Sequence, residues 1–224
     1  MTLADARPGS AAGTVRHRGS VPEDEIVEIR GLRCTSLRRT VADVARTASF
    51  EAAVVIADAA LRQRCVPAPG RYDEAAAESF LEGVRGVTAG FAHGRARADG
   101  VLAFADGRAQ LPGESISRIR LVELGFRRIR LQVEVDGPRG PYYVDFALDD
   151  PGAHAFGEFD GTGKYTDPAL LAGRSGAEAL DEEKQREDWI RGTTQRPFAR
   201  WGWKHIDTAA GLGRRLSAFG IRPL

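Results

Sequence analysis

The chain has little that binds metals through sulfur or nitrogen: two cysteines, one methionine and four histidines in 224 residues. Cys34 and Cys65 share no CxxC spacing and stand beside no histidine cluster, so buried free thiols are expected rather than a zinc site or a disulfide. His93, in Phe91-Ala92-His93-Gly94, is equally alone and reads as a solvent-facing or satisfied side chain. No apolar run approaches the roughly 20 residues needed to span a bilayer, and the N-terminus lacks the basic-then-apolar pattern of a secretory leader. No membrane association is expected, and the expected compartment is the cytoplasm. Nor is there an excess of one charge. Residues 1 to 107 carry 14 Lys+Arg and 14 Asp+Glu, and residues 108 to 224 carry 18 and 17. Such a balance excludes the strongly basic body of a sequence-independent nucleic-acid binder, so any DNA contact must come from a local patch.

What is present is a 42% apolar chain, long enough to bury a core of one large or two small domains. Residues 1 to 13 have no apolar period and read as a disordered tail. Thr14 to Arg18, Glu25 to Arg30 and Leu32 to Thr35 read as short strands, the last two hinged at Gly31. Ser36 or Thr35, then Ser49, can cap two helices ended by Pro67, Pro69 and Gly70. Further helices are expected over Asp73 to Val84 and Thr88 to Phe104, the second weakened by Gly90, Gly94 and Gly100. Residues 14 to 107 thus form a mostly helical module with a small β element.

Asp106-Gly107 and Pro112-Gly113 punctuate a boundary, and residues 108 to 224 change to helix, three strands, helix, strand, helix. The helix runs from Glu114 to Leu124 and stops at Gly125. In the first strand Ile129, Leu131, Val133 and Val135 point one way, opposite Arg128, Arg130, Gln132 and Glu134. The turn Asp136 to Gly140 makes an antiparallel hairpin with Tyr142 to Leu148, and Ala153 to Asp160 returns as a third strand. Asp207 can cap the closing helix, with Leu212, Leu216 and Phe219 packing back on the sheet. The expected class is α/β of the α+β kind.

Within this pattern Glu158 and Asp160 share a strand face, because side chains repeat every second residue. Two anions side by side require something positive opposite them. Asp145, on the neighbouring strand, can lie across from either, and three carboxylates at one place suit Mg²⁺ or Mn²⁺, which prefer oxygen ligands. The plainer alternative is that these acids face water or pair with Arg128, Arg130 or Lys164. Around Lys184, acids and bases interleave at helical spacing, so intrahelical ion pairs account for that stretch without a ligand. Trp189, Trp201 and Trp203 are expected in the core or at its rim, with stacking on bases as the alternative.

Glu114 on a leading helix, Asp145 on a strand, Glu158-Phe159-Asp160-Gly161 on the next and Asp188-Trp189-Ile190-Arg191 on a following helix resemble the PD-(D/E)XK nuclease superfamily, in its very-short-patch-repair branch. The resemblance spans about Gly113 to Leu216 and implies a restriction-endonuclease-like mixed sheet flanked by helices. It implies Mg²⁺ (or Mn²⁺) on Asp145 and Glu158, with Asp160 a third candidate ligand, Glu114 an accessory acid and DNA as substrate. Asp160 stands where the superfamily keeps a lysine, so Lys164 or Lys184 would supply the positive charge. Lys184, Asp188 and Arg191 would support the ligands or touch DNA. Val21 to Val27, Leu32 to Ser36 and Thr40 to Arg46 resemble the middle region of bacterial proteins related to AbiEi-type antitoxins. The leading expectation is therefore a metal-dependent endonuclease that hydrolyses DNA phosphodiester bonds, and the alternative is a non-catalytic, antitoxin-type regulatory protein that binds DNA or a protein partner and keeps the nuclease fold as a scaffold.

Overall fold

The computed structural model describes residues 2–3, 17–161 and 176–223. Of the tail expected over residues 1 to 13, β1 (Thr2–Leu3) pairs in parallel with β2 (His17–Arg18), and the remainder lies outside the described residues. After a short 3-10 turn at Glu23–Glu25, β3 (Ile26–Ile29) and β4 (Leu32–Thr35) form an antiparallel hairpin. Its two-residue turn places Arg30 at φ 53° and Gly31 at φ 78°, the left-handed pair that matches the twist of such a ribbon.

Four helices follow. α1 (Leu37–Thr47), α2 (Phe50–Cys65) and α3 (Glu74–Ala89) begin where the side chains of Ser36, Ser49 and Asp73 accept the N–H of Arg39, Ala52 and Ala76. The helix expected over Thr88 to Phe104 is interrupted. Thr88 and Ala89 end α3, and Gly94, at φ 83°, turns the chain into α4 (Arg95–Phe104). Glycine cost the expected helix its continuity because the turn uses a conformation that other residues adopt reluctantly. Val41, Val54, Leu61, Phe80, Val84 and Leu102 meet in the core of this module.

α5 (Pro112–Glu123) joins the two halves and is buried on most sides. Leu121 enters the core, and its neighbour Val122 is exposed. Then come β5 (Ile129–Val135), β6 (Tyr142–Asp150), β7 (Ala153–Phe159), α6 (Gly176–Thr194) and β8 (Phe198–Trp201). The sheet order is β5-β6-β7-β8, antiparallel except for β7 and β8, which are parallel. Pro197 stands immediately before β8, where its missing N–H costs no ladder bond, and its carbonyl accepts the Phe156 N–H. α7 (Trp203–Ile206) and α8 (Ala209–Ser217) close the chain. Thr208, rather than the expected Asp207, caps α8 by accepting the Gly211 N–H at 3.1 Å. The described residues are thus a mixed α/β fold of eight helices, a four-stranded mixed sheet and short two-stranded ribbons. Among them no helix is long and apolar enough to cross a membrane.

The alternation expected along β5 does not hold. Ile129 and Leu131 pack in one core with Phe146, Leu148 and Trp201, whereas Val133 and Val135 pack in the other with Val144, Phe156 and Ile190. The cause is Gln132, whose φ of 48° lies in the left-handed region in the middle of a strand. The β5–β6 pairing runs from Ile129↔Leu148 to Val135↔Tyr142 and omits only Gln132, opposite Asp145. At that place both strands exchange their inward faces, so Val144 and Phe146 serve different cores.

Candidate functional site

Three acids come to this crossing from three elements. Glu114 lies in the first turn of α5, 2% exposed, and its Oε2 accepts the Gln110 N–H at 2.8 Å and the Gln132 Nε2 at 3.3 Å. α5 can start so close to the sheet because residue 113 is glycine: a Cβ there would lie 2.1 Å from the Phe159 ring. Asp145 accepts the same Gln132 amide at 3.2 Å through Oδ1, and its Oδ2 accepts the Phe159 N–H at 2.9 Å. That bond brings it to the end of β7, beside Glu158.

Glu158 is 6% exposed and both of its oxygens meet guanidinium groups. Oε1 accepts Arg186 Nη2 at 2.6 Å, and Oε2 lies 3.0 Å from Arg200 Nη2. Arg186 also donates to the Tyr143 carbonyl at 2.6 Å. Arg200 reaches Glu183 as well, lies 2.9 Å from Glu187 and stands 3.7 Å from Asp160. Burial pushes the Glu158 carboxyl up. Arg186 pulls it down, the Asp145 charge pushes it up and Arg200 pulls it down, leaving it above the usual carboxylate range. Burial also works against the charge on Arg200, but Glu158 and Glu183 outweigh it and hold the guanidinium charged.

The positive partner that Glu158 and Asp160 require is thus present as arginine. A hard divalent cation takes carboxylate oxygens that turn toward it. Here Glu158 turns toward two guanidiniums, and Asp145 toward a backbone N–H and an amide. Among the described residues, no three His, Cys, Asp or Glu side chains gather so as to hold a metal ion. The expected ligands, as arranged, do not fit Mg²⁺ or Mn²⁺.

Glu114, Asp145 and Glu158 therefore converge, and Asp160 joins them at the rim through Arg200. Lys184 and Asp188 lie on the exposed face of α6. Arg191 donates to the Phe198 carbonyl at 2.9 Å and pairs with Glu187 at 2.8 Å. Lys164 lies outside the described residues. Sequence reasoning missed Arg186, Arg200 and Gln132. The signal for Arg186 was Ile190, the buried apolar residue of α6: counting back by three and four places Glu187, Glu183 and Arg186 on the inward face, rather than Lys184. The signal for Arg200 was its place in a strand pairing with the Glu158 strand. Nothing in the sequence marks Gln132. Compared with known proteins, the chain matches no family model, no curated protein and no solved structure.

Proposed function

We propose that this chain is a non-catalytic binding or regulatory protein of the cytoplasm that keeps a PD-(D/E)XK-type nuclease fold as a scaffold for a DNA or protein partner. The observation that carries this reading is the double engagement of Glu158 by Arg186 and Arg200. A buried carboxylate paired on both oxygens is a structural ion pair, and drawing it toward a metal would break one ion pair of Arg186 and one of Arg200. The order helix, three antiparallel strands, helix and parallel strand supports the nuclease-type scaffold. The test is a supercoiled-plasmid nicking assay with Mg²⁺ and with Mn²⁺, run beside calorimetric titration of both ions. The wild-type chain is expected to nick no more than Asp145→Asn and to show no stoichiometric ion site.

A second reading, a Mg²⁺-dependent endonuclease, is favoured by the convergence of Glu114 and Asp145 on one Gln132 amide beside Glu158. In that case the wild-type protein nicks DNA with Mg²⁺ or Mn²⁺, and both Asp145→Asn and Glu158→Gln abolish the activity. That result would overturn the scaffold reading.

A further inference from the structure

Among the described residues, three other than glycine take the left-handed backbone: Arg30, Gln132 and Gln195. Arg30 sits in a tight hairpin turn and Gln195 directly follows α6, both ordinary places for it. Gln132 lies within a seven-residue strand, where it interrupts the ladder. Such an outlier persists only where its surroundings enforce it, and it points to function. Its effect is to aim the amide. Nε2 donates to Glu114 and Asp145, and Oε1 accepts Gln110 Nε2 at 2.7 Å.

On the other side of this amide pair lies open space. β5 is an edge strand, and a groove of about 530 Å³ follows it from Ile129 to Glu134, walled by Asp106 and Arg108. Arg108, Leu131 and Gln132 also line a smaller hollow of about 70 Å³, whose far wall is Arg62, Arg71 and Tyr72 from the helical first half. Gln110 and Gln132 line the hollow, while Glu114 and Asp145 do not, so two neutral amides stand between it and the acids. The Arg108 guanidinium stacks on the Tyr72 ring at 4.2 Å. Arg62 and Arg71 have no ion-pair partner among the described residues. The groove and hollow together present Arg62, Arg71, Arg108 and Arg130 against Asp106 and Glu134. Arg108 is neutralised by Asp106 and Glu74 and Arg130 by Asp149, so the uncommitted positive charge here is that of Arg62 and Arg71.

We infer that this groove seats one strand of nucleic acid, with phosphates on Arg62 and Arg71 and the Gln110–Gln132 amide pair facing the strand at the crossing. The inference rests on the binding reading above and names its partner. Two uncommitted guanidiniums suit a phosphodiester backbone, and an aromatic ring beside a guanidinium suits a base. An acidic peptide adding as a further strand is disfavoured, because Gln132 breaks the regular ladder that strand addition needs.

The test is fluorescence anisotropy of the full chain, in EDTA, with labelled single-stranded DNA, single-stranded RNA, duplex DNA and a poly-glutamate peptide across a salt series. The single strands are expected to bind best. The double variant Arg62→Glu/Arg71→Glu should weaken them at least tenfold, and Arg62→Gln/Arg71→Gln should make the salt dependence shallower by about two phosphate contacts. The distant control Arg85→Glu/Arg214→Glu should change neither. Gln132→Gly accepts the backbone conformation but removes the amide, so it should weaken binding; because it also takes a donor from the buried Glu114 and from Asp145, binding is compared at a temperature where melts show the variant fully folded. Absence of nucleic-acid binding, an unchanged affinity in the Arg62/Arg71 variants, an equal loss in the control, or preferential capture of poly-glutamate would overturn the inference. Nicking with added Mg²⁺ overturns the non-catalytic reading but leaves the groove standing, so the two failures are distinguishable.

Discussion

Glu158 on β7 and Arg200 on β8 are direct register partners in the parallel pair, and their side chains meet at 3.0 Å across the strands. The position opposite a carboxylate on a neighbouring strand is the closest one for a counter-charge. Arg186 completes the arrangement from α6, one helical turn before the buried Ile190. The acidic stretch at the end of β7 is therefore neutralised within the fold, from two elements that follow it in the chain.

Arg200→Ala should destabilise the protein in a pH-dependent way. The Glu158 carboxyl is already held above its ordinary value of 4.5, mainly by burial, and loss of Arg200 raises it further. Below about pH 4.5 the group is protonated in both the folded and unfolded chain, so through Glu158 the substitution costs little. As pH rises from about 4.5 toward the raised folded value, the unfolded chain ionises more readily than the folded one and stability falls, levelling off once both are ionised. At neutral pH the loss should reach roughly 2–4 kcal/mol, discounted because the Arg200 side chain is 20% exposed. Thermal melts at pH 4.5 and pH 7.5 check this, and an equal loss at both would contradict the assignment.

Gly157→Ala tests the other face of the same strands. A Cβ at Gly157 would lie 2.3 Å from the Trp201 ring, which is 1% exposed and donates its indole N–H to Ser117 at 2.8 Å. The ring cannot retreat without losing that bond. Overpacking of this kind costs about 1–3 kcal/mol, and at this chain length each kcal/mol lowers the melting temperature by about 2–4 °C. A melting temperature equal to that of the wild type would show that Trp201 has room to move.

Much of the fold was legible because its signals are local. Ser36 and Ser49 cap as their positions suggest, Gly125 ends α5, and the run from Ile129 to Phe159 reads as three strands. The site was legible by half. Glu114, Asp145 and Glu158 could be grouped because each sits at a predictable place in a helix or strand, whereas their partners could not. Arg186 and Arg200 reach Glu158 across separations of 28 and 42 residues, set by how α6 and β8 dock. Gln132 was illegible for a different reason. Its neighbours alternate cleanly in the sequence, and its left-handed backbone is visible only where the folded strand passes from one core to the other.

Asp58→Ala should uncouple the two halves of the chain. Asp58, on α2, is 1% exposed and receives Arg118 at 2.9 Å, Ser115 at 2.7 Å and the Asp106 N–H at 2.7 Å, all from residues at or after the expected boundary. Burial pushes its carboxyl up against the pull of Arg118, the Asp106 N–H and Ser115, so its charge is tolerated only because these donors surround it. Alanine leaves the nearly buried Arg118 guanidinium without that carboxylate, a loss of about 3–5 kcal/mol. Each half carries its own probe: Cys65 is fully buried in the first, and all three tryptophans lie in the second. In urea, thiol labelling of Cys65 and tryptophan fluorescence should report one shared transition in the wild type. In Asp58→Ala the labelling should begin at lower urea than the fluorescence change. Coincident curves in the variant would mean that the contact of α2 with α5 holds the halves together without this ion pair.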